Sequence, residues 1–173
     1  MIRRILNIAL LVIFISCSSN NDDLLEEVEQ ISNPNNIYTI SDFENIGFKT
    51  IKNYNIKDLP DATAAMFGWM KDSLNNPKDY ELRFYKNHQN ALASKKLIEE
   101  VVGENATVTN KDVTWKEGQP DRRVNRRGSG SGPGSAKPKY LYYVIYGNVV
   151  ILCEGLDENM SKKLCSYIVK NLE

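Results

Sequence analysis

The segment 140–154 narrows the folds open to this chain more than any other part of it. Two runs rich in β-branched and aromatic residues, Tyr140 to Tyr146 and Val149 to Cys153, flank the dipeptide Gly147-Asn148. A two-residue connection of this kind closes a tight hairpin. The register it imposes sets Tyr146 opposite Val149, Val144 opposite Ile151 and Tyr142 opposite Cys153. A hairpin leaves an apolar face to be covered, and the next segment supplies the cover. From Glu158 to Leu172, the residues Met160, Leu164, Cys165, Ile168, Val169 and Leu172 form one helical stripe.

Upstream, Tyr80, Leu82 and Phe84 alternate with Glu81, Arg83 and Tyr85, the period-2 pattern of a half-buried strand. Asn87 then offers a cap, and Ala91, Ser94, Ile98, Val101 and Val102 predict a helix over 88–102 that stops at Gly103. Residues 107–116, with Val108, Val113 and Trp115, read as a second strand or two short extended pieces. Asp42 to Phe48 reads as a short helix ended by Gly47, and 62–70 fits helix or buried strand. Gly68 tilts that choice toward an extended element, because glycine weakens a helix by about 1 kcal/mol relative to alanine. Strand, helix, strand, hairpin and helix together predict an α+β fold. Its form is a two-layer sandwich, a mainly antiparallel sheet with helices packed on one face.

The first seventeen residues carry a different signal. Arg3 and Arg4 precede an apolar run, Ile5 to Ile15, interrupted only by Asn7 and ending at Ser16 and Cys17. The run is too short for a bilayer span of about 20 residues and suits an export signal over residues 1–16. Its last four residues, Phe14-Ile15-Ser16-Cys17, resemble the lipobox of bacterial lipoproteins, with Phe14 where that family usually has Leu. The resemblance implies removal of residues 1–16, a diacylglycerol and palmitate-type acyl chains on Cys17, and a mature chain beginning there. It implies a lipid-anchored protein of the cell membrane or outer membrane, facing away from the cytoplasm. A plain secretory signal with a chance cysteine is the alternative. Residues 37–173 carry no such resemblance.

Residues 17–36 read as a flexible acidic tether, with Asp22, Asp23, Glu26, Glu27 and Glu29 and no basic residue. The body, 37–173, reads as one domain with 20 basic against 17 acidic residues, a balance of +3 that selects no partner. With Cys17 acylated, Cys153 and Cys165 remain, and in an exported chain such a pair predicts a disulfide between strand and helix. Two buried free thiols are the alternative.

Residues 118–139 read as a flexible loop, Arg122, Arg123, Arg126 and Arg127 followed by an almost pure Gly/Ser stretch around Pro133. Four arginines offer bidentate hydrogen bonds to phosphate or carboxylate, so the expected partners are the membrane through the lipid and an anionic envelope component or acidic protein. A solvated basic linker is the plainer reading. Nucleic acid is not expected, since no aromatic residue interleaves the arginines. Tyr140, Tyr142, Tyr143 and Tyr146 crowd one strand, and some of them are expected to face water as a recognition surface.

Chemistry finds few residues. His88 is the only histidine and sits at a predicted helix start. No metal-ligand spacing, nucleophile motif or phosphate loop is present, so no catalytic residue, metal or cofactor is assigned. Asp112 and Glu117 flank Trp115 in the manner of a sugar-cleaving pair, and strand-edge charge explains them more simply. The sequence therefore predicts a non-catalytic binding or scaffolding lipoprotein, the alternatives being an envelope-polymer hydrolase and a purely structural lipoprotein.

Overall fold

A computed structural model describes residues 27–107, 113–125 and 136–173. The expected signal segment, 1–16, with Cys17, Asp112, Arg126, Arg127 and the Gly/Ser stretch, lies outside the described residues. Strand β1 is Ile31–Ser32, β2 Lys49–Asn53, β3 Ala62–Lys71, β4 Pro77–Tyr85, β5 Arg123–Asn125, β6 Ala136–Pro138, β7 Tyr140–Tyr146 and β8 Val149–Glu154. Helix α1 is Ile40–Asn45, α2 His88–Ala93, α3 Lys95–Glu99 and α4 Glu158–Leu172. Six strands form one open sheet in the order β1-β7-β8-β4-β3-β2, while β5 and β6 make a separate ribbon. All pairings are antiparallel except β1 with β7. The fold class is α+β.

The hairpin forms in the register its turn dictates, with Tyr146 opposite Val149, Val144 opposite Ile151 and Tyr142 opposite Cys153. Gly147 takes a φ of 56°, the left-handed value that glycine adopts at little cost in such turns. Helix α4 spans the predicted residues, and its first turn is capped by the Asp157 carboxylate accepting from the Met160 N–H at 2.8 Å. Its inner stripe of Leu164, Cys165, Ile168 and Val169 packs on Leu82, Val144, Ile151 and Cys153, with Phe43 and Phe48 closing the same core. Cys153 and Cys165 are disulfide-bonded, tying β8 to α4.

Residues 62–71 are a strand, and Gly68 has a steric reason to be there. A side chain at Gly68 would collide with the Lys49 carbonyl and the Phe48 ring, so glycine lets the start of β2, with the Phe48 ring, lie close against β3.

Coverage of the sheet goes beyond one face. Helices α2 and α3 pack on the side opposite α4, burying Ala91, Ile98 and Val101 against Tyr85, Ile145, Val150 and Leu152. Strand β4 is therefore buried on both sides, and Glu81 and Arg83 are as inaccessible as Tyr80 and Leu82. The predicted single helix over 88–102 is broken at Ser94, whose hydroxyl donates to the Ala91 carbonyl at 2.7 Å and competes with the helical ladder. Residues 113–116 form no strand. The backbone of Thr114 is held by the Glu100 carboxylate at 3.0 Å, and Trp115 folds across the second face instead.

Both ends of the expected 118–139 loop are ordered. A 3-10 turn, Gln119–Arg122, leads into β5, which pairs with β6. The expected tether, 17–36, is likewise corrected from Val28 onward. The Val28 N–H donates to Ser166 Oγ at 3.2 Å, the Gln30 carbonyl accepts from the Ile145 N–H at 2.8 Å, and β1 lies along β7. This strap is locked at its far end by Asn148, a turn residue only 2% exposed. Asn148 Oδ1 accepts from the Tyr38 N–H at 2.7 Å, while its amide donates to the carbonyls of Tyr38 and Tyr85, each at 3.0 Å. Replacing Asn148 by Ala strands both backbone groups of Tyr38, at a cost of about 1–3 kcal/mol. Hydrogen exchange is expected to accelerate first over residues 31–39, and unchanged protection there would contradict the clamp.

Candidate functional site

The second face of the sheet holds the one dense cluster of charged and aromatic side chains among the described residues. Alternation along β4 points Glu81 and Arg83 the same way, and the turn before β5 swings Arg122 over them. Glu81 Oε1 accepts from Arg83 Nε at 2.8 Å and Arg122 Nη2 at 3.0 Å, and Oε2 accepts from Arg122 Nε at 2.7 Å. Arg122 also donates to the Trp115 carbonyl at 3.2 Å. Both guanidinium groups lie against the indole of Trp115, at 4.9 Å for Arg83 and 4.5 Å for Arg122. Trp115 in turn donates its ring N–H to the Asn55 carbonyl at 3.2 Å and meets Tyr54 edge-on. Asp121, on the rim, accepts from the Tyr54 hydroxyl at 2.9 Å and from Lys52 at 3.3 Å.

Burial alone would raise the Glu81 carboxyl, but the attraction of Arg122 and Arg83 and their hydrogen bonds outweighs it, so its pKa falls below the ordinary value. Burial alone would lower Arg122, and Glu81 overrides it in the other direction. Burial holds Tyr140 well above the usual phenol value, and its hydroxyl has no partner among the described residues. A carboxylate with three charge-assisted bonds and no exposure neither gives nor takes a proton from an outside molecule. The cluster's chemistry is that of a charged keystone holding Trp115, Arg122 and the β5–β6 ribbon onto the sheet.

The structure disperses the residues singled out from sequence. Arg122 is not offered to an external anion: it is 1% exposed and its guanidinium is spent on Glu81. Arg123 is exposed. Of the tyrosines, Tyr140, Tyr143 and Tyr146 are buried, because the sheet is covered on both sides and a bulge between Tyr140 and Tyr142 sends those two to opposite faces. No recognition strip of four tyrosines exists. Tyr142 is half-buried, with the Lys162 ammonium 5.3 Å from its ring centre. Burial and then the Glu99 carboxylate push the Tyr143 phenol up to about 12.

His88 donates Nδ1–H to the Gly147 carbonyl at 2.8 Å, a hydrogen bond that braces α2 against the hairpin turn. Glu117 lines a polar concavity of about 390 Å³ with Asn55, Asp58, Thr114, Trp115 and Lys116. The Trp115 ring is only 3% exposed and engaged by two guanidinium groups, so it offers no platform to a sugar. Among the described residues no group of His, Cys, Asp and Glu is placed to hold a metal ion, and no helix is long and apolar enough to cross a membrane.

Sequence reasoning missed the Glu81–Arg83–Arg122 cluster. The signal available was positional: β4 sits between two strongly apolar strands, so its charged residues had to meet partners rather than water.

A second perturbed carboxyl lies at the other end of β4. Burial, and next the Asp79 carboxylate, push Glu154 above the ordinary value, against the pull of the Asp79 backbone N–H, Lys78 and Lys139. A raised folded-state pKa means that ionisation opposes folding, by an amount that grows as pH rises above the unfolded value and is complete above the folded one. Glu154→Gln is therefore expected to raise the thermal midpoint at pH 7, with the gain vanishing below about pH 4.3, where unfolded Glu is protonated. An equal gain at every pH would rule out this cause.

No curated protein and no solved structure matches the chain. One family model does match, and it spans residues 39–173, from the N-cap of α1 to the end of α4. Since that is most of the chain and every strand of its sheet except β1, the protein belongs to the family of unknown function DUF6810.

Proposed function

We propose that the protein is an exported lipoprotein, anchored through Cys17 on the extracytoplasmic side of a membrane, whose body is a non-catalytic binding or scaffolding domain. The observation that carries this reading is the disulfide between Cys153 and Cys165. Structural disulfides persist in oxidising compartments outside the cytosol. With these two cysteines paired, the third stands alone at the end of an apolar run behind two arginines. The buried keystone around Glu81 supports a structural body, since it fixes surface elements without exposing a reactive group.

Metabolic labelling with palmitate, followed by mass spectrometry of the intact protein, tests the reading. The expected result is a chain beginning at Cys17 that carries acyl mass and no free thiol, with all label lost on Cys17→Ser. An unacylated chain dissolved in the cytosol overturns it. Of the arginines read from the sequence, Arg123, Arg126 and Arg127 remain as the proposed contact for an anionic envelope partner. Binding insensitive to both salt and their joint replacement by Ser removes that part.

A further inference from the structure

We infer that the end of the sheet carrying the β3–β4 turn and the β8–α4 loop rests on the bilayer surface, inserting Leu74 and Leu156 among the lipid headgroups. The inference rests on the lipid anchor at Cys17 proposed above. Four large apolar side chains are strongly exposed among the described residues: Ile37, Ile51, Leu74 and Leu156. Register shows that two of them share one end. Tyr80 pairs with Cys153, and Lys71 with Pro77, so the turn Asp72 to Asn76 sits beside the loop that follows Glu154. Leu74, at the tip of that turn, is 78% exposed, and Leu156 in the loop is 64% exposed.

The strap leads to the same end. From Ser32 back to Val28 the chain runs parallel to β7 toward its start, next to Ser166 of α4. Nine residues then separate Glu27 from Cys17, and the ten Cα steps between them reach at most about 35 Å. The lead therefore joins the body at this end, which favours its approach to the bilayer over that of the end holding Ile37. The opposite end holds Ile37, beside the Gly147-Asn148 turn.

Two features suit the end to apolar insertion rather than charge attraction. Its charges nearly cancel: Lys78 is met by Asp72 at 3.9 Å, Lys139 by Asp79 at 2.6 Å and Lys162 by Glu158 at 2.8 Å, and the exposed Lys71 and Lys163 are offset in number by Glu154 and Asp157. The acidic lead of Asp22, Asp23 and Glu26 adds nothing that an anionic surface would attract. The turn is also built to hold its leucine out: Asp72 Oδ1 accepts from the N–H groups of Leu74 and Asn76, each at 2.9 Å, and Asn75 takes the left-handed φ of 63°. One leucine binds a membrane weakly, but a covalent anchor turns that contact into an intramolecular event at high effective concentration.

The test uses the full-length acylated protein in phosphatidylcholine vesicles. An environment-sensitive fluorophore is placed on Leu74→Cys, Leu156→Cys or Ile37→Cys, all surface positions. The expected result is blue-shifted emission, quenched by spin-labelled lipid, at positions 74 and 156, and water-like emission at 37. Adding phosphatidylglycerol is expected to change neither. Water-like emission at all three positions on vesicle-bound protein overturns the inference and leaves the anchor standing. A signal that needs anionic lipid, or that appears only in native envelopes and not in pure lipid, also overturns it, pointing to lysine contacts or to a protein partner. A bare Cys17 in the mass spectrum of the same sample overturns the anchor itself.

Discussion

Replacement of Glu81 by alanine is expected to destabilise the fold by about 3–5 kcal/mol, the cost of leaving buried charge without its counter-ion. Two guanidinium groups would then share a space with no exposure and no carboxylate between them. Their mutual repulsion in low dielectric adds to the lost hydrogen bonds. Arg122→Ala is expected to cost less, since Glu81 keeps Arg83. The measurement is urea unfolding, with the midpoint falling and the slope unchanged. Replacing the three residues together by Leu and Met, which removes charge and counter-charge at once, is expected to restore most of the loss. Failure of that restoration would mean the cluster acts through shape rather than charge.

The same residue leaves a signature in acid. Its folded-state pKa lies below the ordinary value, so the ionised form favours folding. That contribution is whole above about pH 4.3, the unfolded value, and is lost as pH falls through the lower folded-state value. Glu81→Gln is expected to flatten this part of the stability curve while leaving the slope near neutrality unchanged.

Loss of the disulfide is expected to be the next largest effect. Cys153 and Cys165 are 12 residues apart, and closing a loop of that size restricts the unfolded chain by about 3 kcal/mol. The double Ala variant is expected to lose that much in urea. Both cysteines are fully buried, so dithiothreitol can reach the bridge only after α4 leaves the sheet. Reduction of the native protein is thus expected to proceed at the unfolding rate and to share its dependence on urea. Rapid reduction under native conditions would show that α4 opens locally.

The parts of the fold that were legible from sequence are those set by short-range rules. Gly147-Asn148 fixed the hairpin register, the apolar stripe fixed α4, and the two together brought Cys153 to Cys165. Gly68 argued for a strand through the weakness it would cause in a helix, although its packing reason, the close passage of β2, depends on a segment far along the chain. What stayed hidden depends on layers. Alternation in β4 looks the same whether its polar side meets water or meets Arg122, 41 positions further along the chain. Ser94 fits a helical stripe, and only its hydrogen bond to Ala91 breaks it. Residues 113–116 have strand composition, but the Glu100 carboxylate holds Thr114 and two guanidinium groups hold the Trp115 ring instead. The four tyrosines were read as too many to bury because the second layer of helices could not be foreseen from their own strand.

The strap has a consequence for how the family is to be handled. Its match begins at Thr39, yet the outer margin of β7 is paired by Ile31 and Ser32. A chain trimmed to the family boundary would bare that margin as a row of unsatisfied amides beside Tyr146 and Ile145, a template on which copies stack edge to edge. Aggregation of such a truncated protein would then report the missing brace rather than a poorly folded family.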